Sequence, residues 1–437
     1  MKQSLTIIGS GLAGCEAAWQ AAKRGLRVCL YEMRPFTMTP AHKGGGLAEL
    51  VCSNSLRGAA LSNAVGLLKE EMRRLGSLIM AAADATAVAA GGALAVNRQL
   101  FSAYIEAAIL AEEGIELRRE ELHTIPEEGM VIIAAGPLAS PDLSEAIVAL
   151  TGSNGLFFHD AIAPVIAADS IDTGIAFFAS RYDKGEGADY LNCPFNKEQY
   201  LLFCQELRQA ELFPLREFEE ERLFNGCLPI EAMARLGVDT MRFGPLKPVG
   251  LTMLSGGEPY AVAQLRREDA EGSMYNLVGF QTRLTQPAQK RVFRLIPGLE
   301  QAEFLRFGAM HRNTYIDSPR LLGADLRLKK DPRVFFAGQI SGVEGYVESA
   351  AMGVVAGINA ARVLGGKPTL VFPSVTAIGG LQKHISTDIG RTYEPMNINF
   401  GLLPPVEKRM RNKQEKNLAL AERALTVLEQ FKAELLL

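Results

Sequence analysis

The sequence predicts an α/β protein with a Rossmann-like nucleotide-binding domain, in which a parallel sheet carries helices and a smaller α+β insertion interrupts the domain. Three observations predict this fold. A glycine-rich turn joins an apolar run to a helical pattern at the start of the chain. Two further apolar runs end in small residues and glycine at 130–137 and 333–339. Turn-rich sequence of mixed strand and helix character separates those two segments.

The glycine-rich turn consists of Gly9, Ser10, Gly11, Leu12, Ala13 and Gly14. A strand pattern at 5–8 precedes it, a helical pattern at 15–24 follows, and a second strand pattern at 27–31 ends at Glu32. In a dinucleotide-binding unit, the first glycine permits the tight turn, the second lets the backbone approach a pyrophosphate, and the third lets helix pack on strand. The diphosphate lies at the positive end of the helix dipole, and the acid accepts hydrogen bonds from a ribose.

The surroundings of this turn favour FAD over NAD as the dinucleotide. Arg34 follows the acid closely, and the 437 residues contain no second fingerprint. The segment that ends at Gly136 resembles one that flavoproteins place beside the cofactor. The segment at Gly338 resembles a C-terminal flavin motif, in which a helix N-terminus points at the flavin ring. Its further candidate contacts are Gln339, where an acid is usual, and Glu344, Gly345 and Tyr346.

Composition limits the class of protein. With 48% hydrophobic and 22% charged residues, the chain has a globular composition, which excludes disorder, collagen and a small disulfide scaffold. A net charge of -3 excludes a global basic field, so any surface for nucleic acid must be a local patch. The 42 glycines are an excess, and glycine is used where backbone turns tightly or closely approaches another group.

The six cysteines show neither a CxxC pair nor a repeated spacing, so neither a zinc site nor a disulfide framework is expected. Reduced thiols of this kind fit a cytoplasmic protein. The apolar stretch at 78–96 contains Asp84 and two adjacent glycines, so no membrane span is expected. We therefore predict a cytoplasmic protein without a metal or a membrane anchor.

Because flavin-like segments stand at both ends, the predicted order is an FAD-binding part at 1–154, an insertion or substrate domain at 155–315, and the rest of the FAD-binding domain at 316–437. The insertion shows strand-like runs at 162–166 and 174–179 and a helical pattern at 197–211. A charged amphipathic pattern predicts a C-terminal helix at about 407–437.

Two cysteines differ from the others in their neighbours. Cys52 lies in a polar stretch after a glycine-rich loop, and Cys227 lies in a turn beside asparagine, glycine and proline. Cys15, Cys29 and Cys204 fall inside regular elements and are interpreted as small hydrophobic residues. Cys52 and Cys227 are therefore the candidate reactive thiols, with buried, inert thiols as the alternative.

Several strings together resemble one family, the folate- and FAD-dependent tRNA (uracil-C5-)-methyltransferases. They are the turn at 9–14 and the segments 32–35, 38–42, 51–56, 188–194, 243–251, 277–282, 310–315 and 342–346. The resemblance covers essentially the whole chain. It implies transfer of one carbon from 5,10-methylenetetrahydrofolate to a T-loop uracil of tRNA, which gives 5-methyluridine and tetrahydrofolate. FAD is the carrier and reductant, and NAD(P)H supplies the electrons.

The resemblance also implies roles for particular residues. One of Cys52 and Cys227 acts as the nucleophile at uracil C6, and the other acts as the assisting base. The assignment of the two roles stays open, with Cys227 favoured as the nucleophile. Their thiols need a lowered pKa, for which Arg57 or a dipole near the flavin are the candidates. His311 resembles the family residue that stacks on folate, with a hydrogen-bonded surface histidine as the alternative.

Local basic groups are the candidates for contact with RNA phosphates, with a solvated charged face as the alternative. They are Arg73–Arg74, Arg283, Lys290–Arg291, Arg312, Arg320, Lys383 and the run 408–413. Two other functions are compatible with the flavin motifs. One is an NAD(P)H-dependent flavin oxidoreductase of a small molecule. The other is a related flavoprotein that modifies the tRNA wobble uridine, which the short sequence after Pro404 disfavours. A flavin-bound RNA chaperone is a weaker third alternative.

Overall fold

The computed structural model describes residues 4–152, 156–181, 189–213, 228–253, 256–269, 271–388, 393, 395–406 and 410–436. Its strands are β1 (Ser4–Ile8), β2 (Arg27–Tyr31), β3 (Ser55–Gly58), β4 (Ala87–Val88), β5 (Ala93–Val96), β6 (Ile115–Arg118), β7 (Met130–Ile133), β8 (Leu156–Ile162), β9 (Val165–Ala167), β10 (Phe177–Ala179), β11 (Tyr190–Phe195), β12 (Ala261–Arg267), β13 (Met274–Leu277), β14 (Phe304–Arg306), β15 (Ala309–Tyr315) and β16 (Val334–Phe336).

The α-helices are α1 (Leu12–Ala22), α2 (Ala64–Arg74), α3 (Leu78–Ala85), α4 (Arg98–Ala111), α5 (Pro141–Thr151), α6 (Lys197–Gln209), α7 (Ile230–Leu236), α8 (Gln286–Phe293), α9 (Ser318–Leu321), α10 (Tyr346–Leu364), α11 (Ala377–Ser386) and α12 (Lys413–Leu436). Short 3-10 turns include Gly136–Leu138 and Gln339–Ser341.

The central sheet has five parallel strands in the order β16-β7-β1-β2-β6. Strand β7 consists entirely of buried apolar residues because helices cover both faces of the sheet, as in other parallel sheets. β16 comes from the C-terminal part of the chain and pairs with β7 in register Val334↔Val131. The predicted Rossmann-like α/β fold is confirmed, and strands from both ends of the chain build its sheet.

Helices α1 and α10 pack against each other at very short range. A side chain at Gly353 would overlap the backbone oxygen of Ala13, and a Cβ at Gly357 would lie 2.5 Å from the backbone oxygen of Ala17. The two glycines are one turn apart on α10, so they form a strip of the helix surface that carries no side chains. This strip brings α10 close behind the glycine-rich turn.

Replacement of Gly353 by alanine is expected to destabilise the protein by about 1–3 kcal/mol, because the added methyl group overpacks the contact with α1. The loss outweighs the gain of roughly 1 kcal/mol that Gly→Ala brings to a helix interior. Urea unfolding measures the difference. Gly92→Ala is the matched control, since a Cβ there meets nothing within 4 Å. Equal unfolding midpoints for both variants and the wild type would contradict the packing argument.

A second, antiparallel sheet has the order β10-β11-β12-β13-β9-β14. With α6, α7 and α8 it encloses a hydrophobic core formed by buried residues between Ile166 and Ala302. The expected strands near 162–166 and 174–179 are found in shortened form as β9 and β10, and the expected helix as α6. The boundaries 155 and 315 stay a prediction, although β8 and β15 pair with each other close to both of them.

One detail differs from the sequence-based expectation. The C-terminal helix α12 begins at Lys413 rather than near 407, and 407–409 lie outside the described residues. The apolar stretch 78–96 folds as α3, β4 and β5, and the side chain of Ser77 caps α3 by accepting from the N–H of Met80. Among the described residues, one helix, α10, is long and apolar enough to cross a membrane, and it is buried within the protein.

Candidate functional site

An open cleft lies at the carboxyl ends of the parallel strands. Doubly wound sheets bind ligands at this edge. Segments that follow β1, β2, β7 and β16 line the cleft together. They contribute Gly9 to Ala13, Glu32, Arg34, Gly136, Gly338, Gln339 and, from α10, Tyr346.

The three glycines of the turn have different tasks. Gly9 has φ +99°, a backbone conformation that residues with a side chain rarely adopt. A Cβ at Gly14 would overlap the carbonyl oxygen of Gly9, so this glycine lets α1 start directly against the turn. A Cβ at Gly11 would meet nothing within 4 Å, and Gly11 lines the cleft. The space beside Gly11 and the side-chain-free start of α1 fit a dinucleotide pyrophosphate.

Glu32 lies at the end of β2, where the sequence places the ribose acceptor. One of its oxygens accepts from the hydroxyl and backbone N–H of Ser10 at 2.5 and 3.2 Å. The other accepts from Nε of Arg34 at 2.8 Å. Burial alone would raise the pKa of the Glu32 carboxyl, but the hydrogen bonds and charge of Arg34 outweigh burial and lower this pKa to about 2. Glu32 therefore stays ionised in the cleft wall and fixes Ser10.

The lowered pKa of Glu32 gives a pH dependence of stability with a definite sign. Its contribution is present above the ordinary carboxyl pKa of 4.5 and is lost as pH falls toward 2. We expect the difference in unfolding free energy between wild type and Glu32→Gln to shrink between pH 5 and about 2.5, as measured by urea unfolding at each pH. The exposed Glu127→Gln is the control. A difference that stays constant over this range would contradict the assignment.

The C-terminal flavin-like segment borders the same cleft. Gly338 has φ +83°, and a Cβ there would lie 2.7 Å from that of Ala13. Gln339 donates through Nε2 to Glu344 at 2.8 Å, so the amide that replaces the usual acid has a partner. Of the predicted cofactor residues, Gly14, Glu344 and Gly345 stand behind the cleft wall rather than lining it.

Cys52 lies beside the cleft on the loop that precedes β3, and its side chain is half-buried. Its backbone N–H donates to the hydroxyl oxygen of Tyr346 at 2.8 Å, and its Sγ lies 2.9 Å from the same oxygen. Burial, and then the neighbouring Cys52, raise the pKa of Tyr346 well above its ordinary value. The phenol thus stays protonated and can donate to a thiolate. Tyr346, predicted as a cofactor contact, connects the cleft with the thiol.

Two arginines that the sequence did not single out hold the loop in front of Cys52. Arg98 donates to the carbonyl of Leu50 at 2.7 Å, and Arg306 donates to that of Val51 at 2.9 Å. Arg98 also forms a two-pronged ion pair with Glu268 at 2.5 and 3.0 Å. No sequence signal marks these residues, because 170 positions separate Arg98 from Glu268.

Arg57 has a different partner from the one the sequence suggested. Its guanidinium pairs with the buried Glu348 of α10. The buried Lys69 donates to the backbone oxygens of Arg57 and Gly58 at 3.0 and 2.9 Å. Arg57 therefore fastens β3 to α10, while Arg98 and Arg306 are the arginines that interact electrostatically with Cys52.

The other described cysteines differ from Cys52. Burial raises the pKa of Cys15, Cys29, Cys193 and Cys204. Cys15, Cys193 and Cys204 are buried and Cys29 is partly buried. Cys227 lies outside the described residues, so its role stays a prediction. His311 falls on β15 opposite Asp160 of β8, but its side chain lies outside the described part, and its folate role also stays a prediction.

Four of the basic groups considered for RNA contact have acidic partners. Arg73 pairs with Asp84, Arg291 with Glu206, and Arg320 lies near Asp317 and Asp388. Arg74 pairs with Glu70 and Glu429, and Lys290 lies over the ring of Phe307. Such pairs are typical of a solvated surface. The side chain of Arg312 and the segment 407–409 lie outside the described part of the chain.

Comparison with known proteins agrees with this geometry. The model of a family described as glucose inhibited division protein A matches residues 4–368. The methylenetetrahydrofolate--tRNA-(uracil-5-)-methyltransferase TrmFO of Heliobacterium modesticaldum is 60% identical over 432 residues, with 99% of this chain and 98% of the relative covered. The protein of the same name from Geobacter sulfurreducens is 58% identical over 434 residues, which cover 99% of this chain and all of the relative.

Among solved structures, GidA of Aquifex aeolicus in its form II crystal matches with a TM-score of 0.73 at 18% identity. The match covers 99% of this chain and 73% of that chain. At this identity the likeness shows the fold alone. Fold and cleft thus define a dinucleotide-binding protein of the GidA type. The chain belongs to the glucose inhibited division protein A family and, within it, to the methylenetetrahydrofolate--tRNA-(uracil-5-)-methyltransferases called TrmFO.

Proposed function

We propose that this protein uses 5,10-methylenetetrahydrofolate to methylate C5 of the T-loop uracil in tRNA, with FAD in the cleft and NAD(P)H as the source of electrons. The observation that carries the proposal is the position of Cys52 at the cleft, with its sulfur 2.9 Å from the hydroxyl of Tyr346. Family membership supplies the substrates: the relatives at 58–60% identity are named for folate, tRNA and uracil C5.

The cleft fits FAD by its own geometry. The open space at Gly11 accepts a pyrophosphate, and the start of α1 supplies N–H donors without a capping side chain. Glu32, fixed by Ser10 and Arg34, stands at the ribose position. When bound, FAD supplies the electrons that convert the transferred methylene carbon into a methyl group. Gly136, Gly338 and Gln339 also line the cleft and would help to hold the cofactor.

The thiol chemistry follows from the reactivity of uracil. A thiolate that adds to C6 forms an S–C6 bond and moves an electron pair to C5, which makes C5 nucleophilic. After C5 has taken up the carbon, a base removes the C5 proton, the S–C6 bond breaks and the thiolate returns. Tyr346 can donate to a Cys52 thiolate and hold it ionised until one of these steps consumes it. Cys227 is the proposed partner thiol, and the order of the two stays open.

Two elements of the proposal rest on the sequence pattern. The cytoplasmic location follows from the expected reduced thiols, and the insertion at 155–315 is the proposed substrate domain. Contact with tRNA is assigned to the local basic groups that the sequence suggests, of which the run 408–413 and Lys290–Arg291 are the best candidates.

A direct test combines unmodified tRNA transcript, 5,10-methylenetetrahydrofolate, NAD(P)H and the purified protein, followed by mass spectrometry of the nucleosides. We expect 5-methyluridine, and none when folate is omitted or replaced by S-adenosylmethionine. A protein that oxidises NAD(P)H rapidly with a small substrate but leaves tRNA unmodified would instead favour the flavin oxidoreductase alternative. Protein that purifies without a flavin spectrum would remove the basis of both functions.

A further inference from the structure

The loop around Cys52 is held by three guanidinium groups from distant parts of the chain. Arg98 and Arg306 bind the carbonyls of Leu50 and Val51 before the cysteine. Arg266 binds the side chains of the two residues after it, with 2.7 Å to Ser53 Oγ and 2.9 Å to Asn54 Oδ1. We call Arg98, Arg266 and Arg306 the arginine cluster.

The charges of this cluster do not balance. Glu268 is the acid paired with it, through Arg98, and its side chain is 4% exposed. Arg266 is buried among neutral partners. In Arg306, Nε and Nη2 are buried and have no hydrogen-bond partner among the described residues. Within the described part of the chain, three positive groups therefore face one carboxylate, and such an excess is costly to bury unless another negative group completes it.

The remaining charged groups around the loop do not supply that negative charge. The side chain of Lys43 interacts with both Arg306 and Glu49, and Glu49 also pairs with Arg34 at 3.1 Å. Arg57 is paired with Glu348. The guanidinium of Arg267 lies over the ring of Phe178, and Tyr346 is a neutral donor. Among the described residues at the centre of the loop, the group that can become an anion is the thiol of Cys52.

We propose that the arginine cluster, led by Arg306, is a positioning and charge-setting device that keeps Cys52 as a thiolate at neutral pH. Opposite charges within a few ångströms lower the pKa of an acidic group by about 1–3 units. Arg306 and Glu268 belong to the antiparallel sheet and its flank, whereas Cys52 and Arg98 belong to the nucleotide-binding part. Two members of the cluster, Arg266 and Arg306, therefore reach the Cys52 loop from the antiparallel sheet. The role of this thiolate in catalysis rests on the proposed function. The ionisation of Cys52 is independent of that function.

The test is the pH dependence of alkylation of Cys52 in the purified, full-length, flavin-loaded protein. Iodoacetamide is applied in short pulses from pH 5 to 10, and the Cys52 peptide is quantified by mass spectrometry. We expect a wild-type midpoint at least one unit below the value of about 8.5 for an ordinary thiol. In Arg306→Gln, we expect the midpoint to rise by about one unit, so that alkylation below the midpoint slows about tenfold.

Matched variants distinguish an effect of the charge of Arg306 from an effect of its structural role. Arg306→Lys keeps the positive charge and should restore most of the wild-type midpoint. Arg333→Gln removes an arginine that is paired with Asp331 elsewhere, and should leave the midpoint unchanged. A merely structural role of Arg306 would alter the plateau rate at high pH through exposure, without moving the midpoint.

Two results would overturn the proposal. One is a wild-type midpoint at or above 8.5, which needs no variant and therefore holds even if Arg306→Gln fails to fold. The other is the same midpoint in wild type and folded Arg306→Gln. Neither readout uses tRNA or folate, so failure of the methylation reaction would leave this test intact.

Discussion

Replacement of Cys52 by alanine is expected to lower the rate of tRNA methylation by about 10²- to 10⁴-fold, the range associated with loss of a positioned acid–base or nucleophilic group. The expectation rests on the short contact of its sulfur with Tyr346 and on its place between the arginine cluster and the cleft. Flavin content and thermal stability should change little, because the side chain is half-buried and its backbone N–H still reaches Tyr346. The rate is measured as 5-methyluridine formed under single-turnover conditions.

Cys29→Ala provides the matched control for this prediction. Cys29 lies on β2, where its thiol is close to Glu116 at 3.7 Å and far from the loop that carries Cys52. The variant should methylate tRNA at the wild-type rate. If Cys52→Ala and Cys29→Ala both retained full activity, Cys52 would have no part in the reaction.

A bulky side chain at Gly11 is expected to abolish flavin binding while leaving the fold intact. The Cβ direction of Gly11 points into open space in the cleft, and its φ of -69° suits any residue. Gly11→Val therefore places a branched side chain where the pyrophosphate belongs, and its Cβ meets no protein atom within 4 Å. We expect purified Gly11→Val to lack the flavin absorbance and to melt at the temperature of wild-type protein freed of flavin.

Gly14→Ala distinguishes the two uses of glycine in the same turn. Its Cβ would overlap the carbonyl oxygen of Gly9, so the turn and the start of α1 must shift. This variant should lose flavin and also unfold at a lower temperature than flavin-free wild-type protein. Full flavin content in Gly11→Val would show that the cleft is not where the dinucleotide binds.

The sequence was sufficient for the parts of the fold that depend on local pattern. Glycine spacing and apolar runs predicted β1, the turn, α1 and β2, because each lies within a short continuous segment. β16 could also be predicted as a strand of the same sheet, because its apolar run ends in small residues and glycine, as the run of β7 does. The start of α12 was predicted six residues too early, because the charged pattern continues through residues before Lys413.

The surroundings of Cys52 could not be predicted in the same way. Arg98, Glu268 and Arg306 lie on α4, after β12 and on β14, and no local pattern relates them. They meet only because the antiparallel sheet packs against the loop at 50–54. Arg57 was the natural candidate by proximity in sequence, yet its side chain turns to Glu348 on α10. Electrostatic surroundings depend on tertiary contacts, and these carry no signature in a single chain.

The most direct test of the central claim is the origin of the carbon added to uracil. Unmodified tRNA is incubated with the protein, NAD(P)H and 5,10-methylenetetrahydrofolate labelled with carbon-13 at the methylene group, and the nucleosides are analysed by mass spectrometry. The proposed function predicts 5-methyluridine with the label in its methyl group, formed by wild type and strongly reduced in Cys52→Ala. Unlabelled 5-methyluridine, or unmodified tRNA with flavin-loaded wild-type protein, would contradict it.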